Sequence, residues 1–320
     1  MDIDYVQTNY RNQNEPINPL SSVDVSSVTD IINTIENYTD NDLVLNINDD
    51  IDLTSQSDIR LSNNIIIELN GHTLTVAPNS IGVYEGSTVT VEDSVGSGTM
   101  TGDRGLFNIY NGGKLIINSG NFITTNNSRG SGIYMEEGGT LEVNGGNFNT
   151  AYYVIGSEGN VSITINGGHL ESTSTSKNGT WAYAVKLVEG EFTMNGGTIV
   201  GIQGALALDG NVVGTINNGE IIVNESYSGA NDGFYCMYVT GTSSLDVYNG
   251  TFNNNGTRSV IYTTSSNNIN LHNGIFIAKG TTLFTGQNIK VLGGNYSHDV
   301  SNYSDSELQF DNNLNLYKLN

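Results

Sequence analysis

Apolar residues recur along the chain in pairs two positions apart, and each pair is followed by the same short polar phrase. Leu115 and Ile117 lead into Asn118-Ser119-Gly120, Leu141 and Val143 into Asn144-Gly145-Gly146, and Ile163 and Ile165 into Asn166-Gly167-Gly168. Phe192 and Met194 lead into Asn195-Gly196-Gly197, with Leu245/Val247, Ile269/Leu271 and Ile289/Val291 repeating the pair before looser copies. A spacing of two puts both apolar residues on one face of a β-strand. The Asn-Gly or Gly-Gly that follows suits a corner with positive φ. Two residues past each last glycine stands a large apolar residue, as in Phe122, Phe148, Leu170, Ile199 and Ile221, which marks a second strand.

The last glycines of the phrases fall at 98, 120, 146, 168, 197, 219, 250, 274 and 294, so the steps are 22, 26, 22, 29, 22, 31, 24 and 20 residues. Gly214 and Asp93 stand where the pattern calls for apolar residues. A further strand-like run precedes many copies, as in Gly132-Ile133-Tyr134-Met135, Tyr152-Tyr153-Val154-Ile155, Ala182-Tyr183-Ala184-Val185 and Val260-Ile261-Tyr262. A unit near 22 residues thus holds three short strands and three corners, with no helical pattern between them. That is one coil of a solenoid whose like residues stack into ladders. The predicted fold is all-β: a single-stranded right-handed parallel β-helix of roughly ten coils with a short N-terminal capping helix. A β-sandwich would show alternating strands at irregular spacing, without a recurring phrase.

The ends are read separately, because a solenoid must cover its open edges. Residues 1–27 form a polar arm. Residues 28–40 hold a capping helix, with Ser27 as N-cap and Val28, Ile31, Ile32 and Ile35 on one face. The β-helix spans 41–297. Residues 298–320 form a C-terminal cap, in which Glu307–Phe310 and Leu314–Leu319 are expected to pair as a hairpin. Its last strand has apolar residues on both faces, which suits capping the final coil or pairing with another copy in a homo-oligomer.

Composition narrows the picture. There are 39 Gly and only 3 Pro, in keeping with strands paired on both sides. A net charge of −22 argues against nucleic acid and anionic membranes as partners. No stretch approaches the ~20 apolar residues of a membrane span. Met1–Tyr5 has neither a basic region nor an apolar run, so it does not read as a signal peptide. The single cysteine, Cys236, excludes an internal disulfide and reads as a small buried hydrophobe.

The phrases resemble the pectate-lyase-like right-handed parallel β-helix repeats of bacterial surface proteins and bacteriophage structural proteins. Glu68–Thr75 resembles their first-coil phrase, Val91–Ser94 with Gly98–Thr101 their second, and Gly293–Ser301 the phrase that closes such domains. The likeness covers roughly residues 41–303 and speaks to fold more than to function, since one scaffold hosts many activities. With no leader, it implies a non-enzymatic bacteriophage virion protein made in the host cytoplasm: a capsid decoration, head-fibre or tail-fibre component. The arm would contact other virion proteins, and the rod would bind host surface glycans. The alternatives are a bacterial surface adhesin and a polysaccharide-degrading tailspike.

The lyase phrase Arg-x-Pro-x-x-Arg and the hydrolase phrases Asn-Thr-Asp, Gly-His-Gly and Arg-Ile-Lys are absent from the sequence. Asp49-Asp50 lies before the regular coils, and Glu136-Glu137 are strand neighbours expected to point apart. A carboxylate pair assembled between coils is left open. His72, His169, His272 and His298 are scattered, and the calcium-binding Gly-Gly-x-Gly-x-Asp repeat is absent, so no metal or other cofactor is expected. The longer coils extend through Thr124–Gly132, Glu171–Thr180, Asn224–Gly233 and Asn253–Thr257, which stacking would place along one edge. Four of eleven basic residues, Arg104, Arg129, Lys177 and Arg258, fall in this region of their coils, with Trp181, Tyr227 and Tyr235 in or beside it. These seven residues form the predicted binding edge.

Overall fold

A computed structural model describes residues 21–38, 43–57, 59–76, 78–126, 131–174, 183–224 and 235–319. The chain is a parallel β-solenoid of about 10 turns, of the right-handed type. Each turn contributes strands to three faces. The first face carries the apolar pairs, for example Lys114–Ile117, Thr140–Val143 and Asn160–Ile165. The second begins after the glycine corner, as in Asn121–Thr124, Asn147–Thr150 and His169–Ser172. The third follows the variable loops, as in Gly105–Ile109, Ser131–Met135 and Ile155–Ser157. Two long strands, Tyr183–Met194 and Gly204–Ile216, run from the third face round the corner into the first.

Stacking in register turns the sequence repeat into ladders. Met100, Phe122, Phe148, Leu170, Ile199, Ile221, Phe252, Phe276 and Tyr296 occupy one inward column of the second face. All are fully buried or nearly so. Phe122 and Phe148 stack at 4.4 Å, and Phe252, Phe276 and Tyr296 at 4.7 and 5.1 Å. Phe148→Ala is therefore expected to cost about 3–5 kcal/mol, read as a lowered urea midpoint. A loss below about 1 kcal/mol would mean that the neighbouring coils close the gap.

A polar ladder follows the outer side of the first corner. Asn217, Asn195, Asn166 and Asn144 each donate a side-chain amide to the Asn one coil before, at 2.7 to 3.0 Å, and Asn118 donates to Glu92 at 3.4 Å. Every bond runs in the same direction, the arrangement in which linked amides polarise one another.

Both departures from the apolar pattern are explained. The space beside Gly214 is taken by Leu208 and Leu245, whose methyls lie 2.7 and 3.0 Å from where its Cβ would stand. In the first copy the paired strand is Thr88–Glu92, with Val89 and Val91 inward. Asp93 instead staples a longer corner, its carboxylate accepting from the Gly71 and Gly98 amides at 2.8 and 2.7 Å.

At the N-terminus the helix spans Val28–Asn37, and Ser27 caps it by accepting from the Asp30 amide at 3.2 Å. Ile31 is buried, and Val28, Ile32 and Ile35 pack partly on the core. Within the stretch expected to be arm, Ser21–Val25 forms a strand paired in parallel with Leu43–Ile47. Only Val25 of these five is fully buried, too little pattern to announce a strand. Residues 1–20 of the arm lie outside the described residues. At the other end, Gln309–Asp311 and Leu316–Leu319 form the expected hairpin, and its second strand pairs antiparallel with Gly294–Tyr296. Leu319 is buried there, whereas Leu314 sits in the exposed turn.

Candidate functional site

The third face differs from the others in what it turns outward. In register along it stand Arg60, Gly82, Asn108, Tyr134, Gly156, Lys186, Ala207, Tyr238 and Tyr262. Tyr84, Tyr110, Tyr152, Tyr153, Tyr183 and Tyr235 flank this row. Of the 17 tyrosines in the chain, nine therefore gather on one side of the rod.

Glycines make room for the rings. A Cβ on Gly82 would lie 2.6 Å from the Tyr84 ring and 3.3 Å from that of Tyr110. One on Gly204 would lie 2.4 Å from the Tyr183 ring. Rings leaning over a strand glycine restore the packing that its missing side chain forgoes. Tyr84 and Tyr110 stack at 4.8 Å, and Tyr152 meets Tyr153 edge-on at 4.3 Å. Farther along, Tyr235 and Tyr238 both stack on Tyr262, at 4.7 and 5.4 Å, and Tyr183 lies 5.7 Å from Tyr238.

Between the two tyrosine groups lies a charged cluster. Lys186 pairs with Asp209 at 3.6 Å, and the Thr240 hydroxyl donates to the same carboxylate at 2.7 Å. Burial pulls the Lys186 ammonium below its ordinary value, partly offset by Asp209. Burial raises the Tyr134 phenol well above its usual range, and its hydrogen bond with Glu158 adds to the shift. Glu136 acts on the same phenol in the same direction. Glu136 and Glu158, from successive coils, thus both act on this one tyrosine.

Beside the first tyrosine group runs an open groove of about 720 Å³, within the usual range for small-ligand sites. Arg60, Tyr84, Arg104, Asn108, Tyr110 and Tyr152 are among the residues that line it. The Arg60 guanidinium lies 5.6 Å over the Tyr84 ring. Planar amides and guanidinium groups next to aromatic walls can hydrogen-bond hydroxyls while packing against C–H surface.

Three residues of the predicted binding edge are described, and all three border this face. Arg104 lines the groove, Tyr235 belongs to the second tyrosine group, and the Arg258 charge acts on the Tyr235 phenol. Arg129, Lys177, Trp181 and Tyr227 lie outside the described residues. Sequence reading missed Arg60, Lys186, Asp209 and most of the tyrosines. The signal was present in Ile133-Tyr134, Met237-Tyr238 and Ile261-Tyr262, where a tyrosine follows the same inward position. Aligning the third-face strands, rather than the glycine phrases, exposes that column.

Other candidates stay apart from it. Asp49 and Asp50 are exposed, and Asp50 accepts from the Thr73 amide at 2.7 Å. The histidines sit with separate partners: Asp50, Glu171, Asp246 and Ser297. Among the described residues no group of three or more His, Cys, Asp or Glu could hold a metal ion, and no helix is long and apolar enough to cross a membrane. Cys236 is fully buried, and burial pushes its thiol well up. The chain matches no protein-family model, no curated protein and no solved structure.

Proposed function

We propose that the protein is a rigid binding rod that holds carbohydrate along its tyrosine face, without itself performing a reaction. The observation carrying this reading is the convergence of eight half-buried tyrosines from successive coils on one side, with Tyr183 buried among them and five of the eight bordering a groove lined also by Ser, Asn and Arg side chains. Inward columns are explained by the core, but nothing in the core requires tyrosine on an outer row. The setting in which the rod works is part of the proposal. Its coil phrases resemble those of bacteriophage structural proteins, which suggests a virion component that meets host surface glycans, with the N-terminal arm toward other virion proteins. An adhesin on a bacterial surface would use the same face.

The test is affinity electrophoresis of the full chain through gels containing purified bacterial capsular or lipopolysaccharide glycans. Retardation is expected with some of these glycans. Tyr110→Ala, which removes one ring of the groove wall, should weaken it by roughly three- to tenfold, the worth of one aromatic contact. Unchanged mobility across the glycan set, with tyrosine fluorescence unaltered by any of them, would reject carbohydrate binding. Release of reducing ends or unsaturated sugars during incubation would instead show a degrading enzyme.

A further inference from the structure

The described lining of the groove beside the first tyrosine group is richer in cations than the chain as a whole. The chain carries 33 acidic residues against 11 basic ones. Yet among the described residues that line this groove none is Asp or Glu, while two of them, Arg60 and Arg104, are cations. They come from different coils: Arg60 from the strand Ile59–Leu61, Arg104 from the turn before Gly105–Ile109. Arg60 lies over the Tyr84 ring, a packing that orients a guanidinium plane. Arg104 keeps a side chain 57% exposed, and its contact with Asp103 is long, at 4.0 Å, between two solvated groups. Such a pair is worth little and yields readily to a better acceptor. The second tyrosine group has Asp209 near it, and the groove's acidic neighbour is Glu158, which accepts from the Tyr134 hydroxyl at one edge of the lining.

We infer that this groove is the subsite for an anionic sugar unit, its charge carried as carboxylate or phosphate, within the carbohydrate the tyrosine face holds. Arginine forks suit either group because both offer oxygens in the matching plane. Tyr84, Tyr110 and Tyr152 supply the apolar flank, and Asn108 supplies a planar amide for hydroxyls. The acidic remainder of the protein repels a polyanion elsewhere. An acidic glycan is therefore held at the N-terminal part of the rod and not at the Asp209 end. The inference rests on the carbohydrate-binding reading and adds selectivity and position to it.

The test uses the full chain and three probes in isothermal titration: short hyaluronan oligosaccharides, the same oligosaccharides after carboxyl reduction, and a glycerol-phosphate teichoic acid oligomer. At least one anionic probe is expected to bind about tenfold more tightly than the reduced one, the scale of a charge-assisted hydrogen-bonded contact. The hyaluronan and teichoic acid arms tell carboxylate from phosphate. The double variant Arg60→Gln/Arg104→Gln should erase that preference and leave the weaker binding of the reduced probe unchanged. Equal binding of charged and reduced forms, or a preference that survives the double substitution, would overturn the subsite while leaving carbohydrate binding standing. Binding of none of the probes, together with no retardation in any glycan gel, would remove both. An Arg60→Lys/Arg104→Lys variant, which keeps the charge but loses the fork, should retain part of the preference and guards against misreading a folding defect.

Discussion

Gly168→Ala is expected to destabilise the rod by about 2–5 kcal/mol, against about 1–2 kcal/mol for Gly86→Ala. Both glycines have positive φ, 91° and 78°, so both substitutions force an L-residue into left-handed backbone. They differ in what the added methyl meets. At Gly86 there is nothing within 4 Å. At Gly168 the new Cβ would lie 2.9 Å from the carbonyl oxygens of Gly145 and Gly146 and 3.0 Å from the Gly145 carbonyl carbon. These are backbone atoms of the preceding coil, fixed by a ladder that includes the bond from the His169 amide to the Gly146 carbonyl. They cannot turn aside as a side chain would, so the coils must separate or the corner must distort. Urea unfolding of the two variants beside the parent measures the difference. Equal losses would mean that φ alone explains the glycine and that close approach of the coils is not the constraint.

This pair of positions also shows why the sequence revealed the architecture so readily. From Gly146 onward the phrase glycines are required twice over, by φ and by contact with a glycine one coil before. At Gly197, for example, a Cβ would stand 2.8 Å from the Gly167 carbonyl carbon. A doubly constrained residue recurs at each turn, so the period is visible in one chain. The inward pairs are legible for the same reason, since each sits between like residues above and below. Outward residues carry no such demand, and a column such as Arg60, Gly82, Asn108, Tyr134 has no shared chemistry to align. The tyrosine face comes from rings of one coil leaning over glycines of their own or a neighbouring coil, which spacing along the chain does not encode. The loop edge was legible as extra length, and Arg104, Tyr235 and Arg258 do border the face. The partner groups from the third-face strands were not legible, because those strands vary most in their distance from the glycine phrase. The strand Ser21–Val25 was hidden by its composition, with two serines and an aspartate among five residues.

Alkaline titration should unfold this protein in one steep step above about pH 10, instead of ionising its tyrosines gradually. Tyr134, Tyr153, Tyr183, Tyr235, Tyr238 and Tyr296 all have phenols raised above their ordinary value, in each case chiefly by burial. A raised value means that the folded chain holds these protons more firmly than the unfolded chain does. The stabilisation is fully present below the ordinary tyrosine value and is lost as pH climbs through and beyond it. Each group that ionises only on unfolding adds about 1.4 kcal/mol per pH unit to the slope, so several acting together make the transition sharp. Cys236 works in the same direction from a lower pH, its thiol also being raised by burial. Lys186 works against them, since burial lowers its value and deprotonation relieves the folded state, but it is one group among many. Tyrosinate absorbance and the β-sheet circular dichroism signal, followed together, should change over the same narrow range. Tyr296→Phe removes one of the six phenols from the second-face core column, where its hydroxyl donates to the Gly293 carbonyl, and should make the transition shallower. Smooth ionisation centred near pH 10 with the sheet signal intact would show the tyrosine face to be solvated and loosely held. That would also weaken the case for it as a preformed surface for a sugar chain, because binding by ordered aromatic rings depends on their being fixed before the ligand arrives.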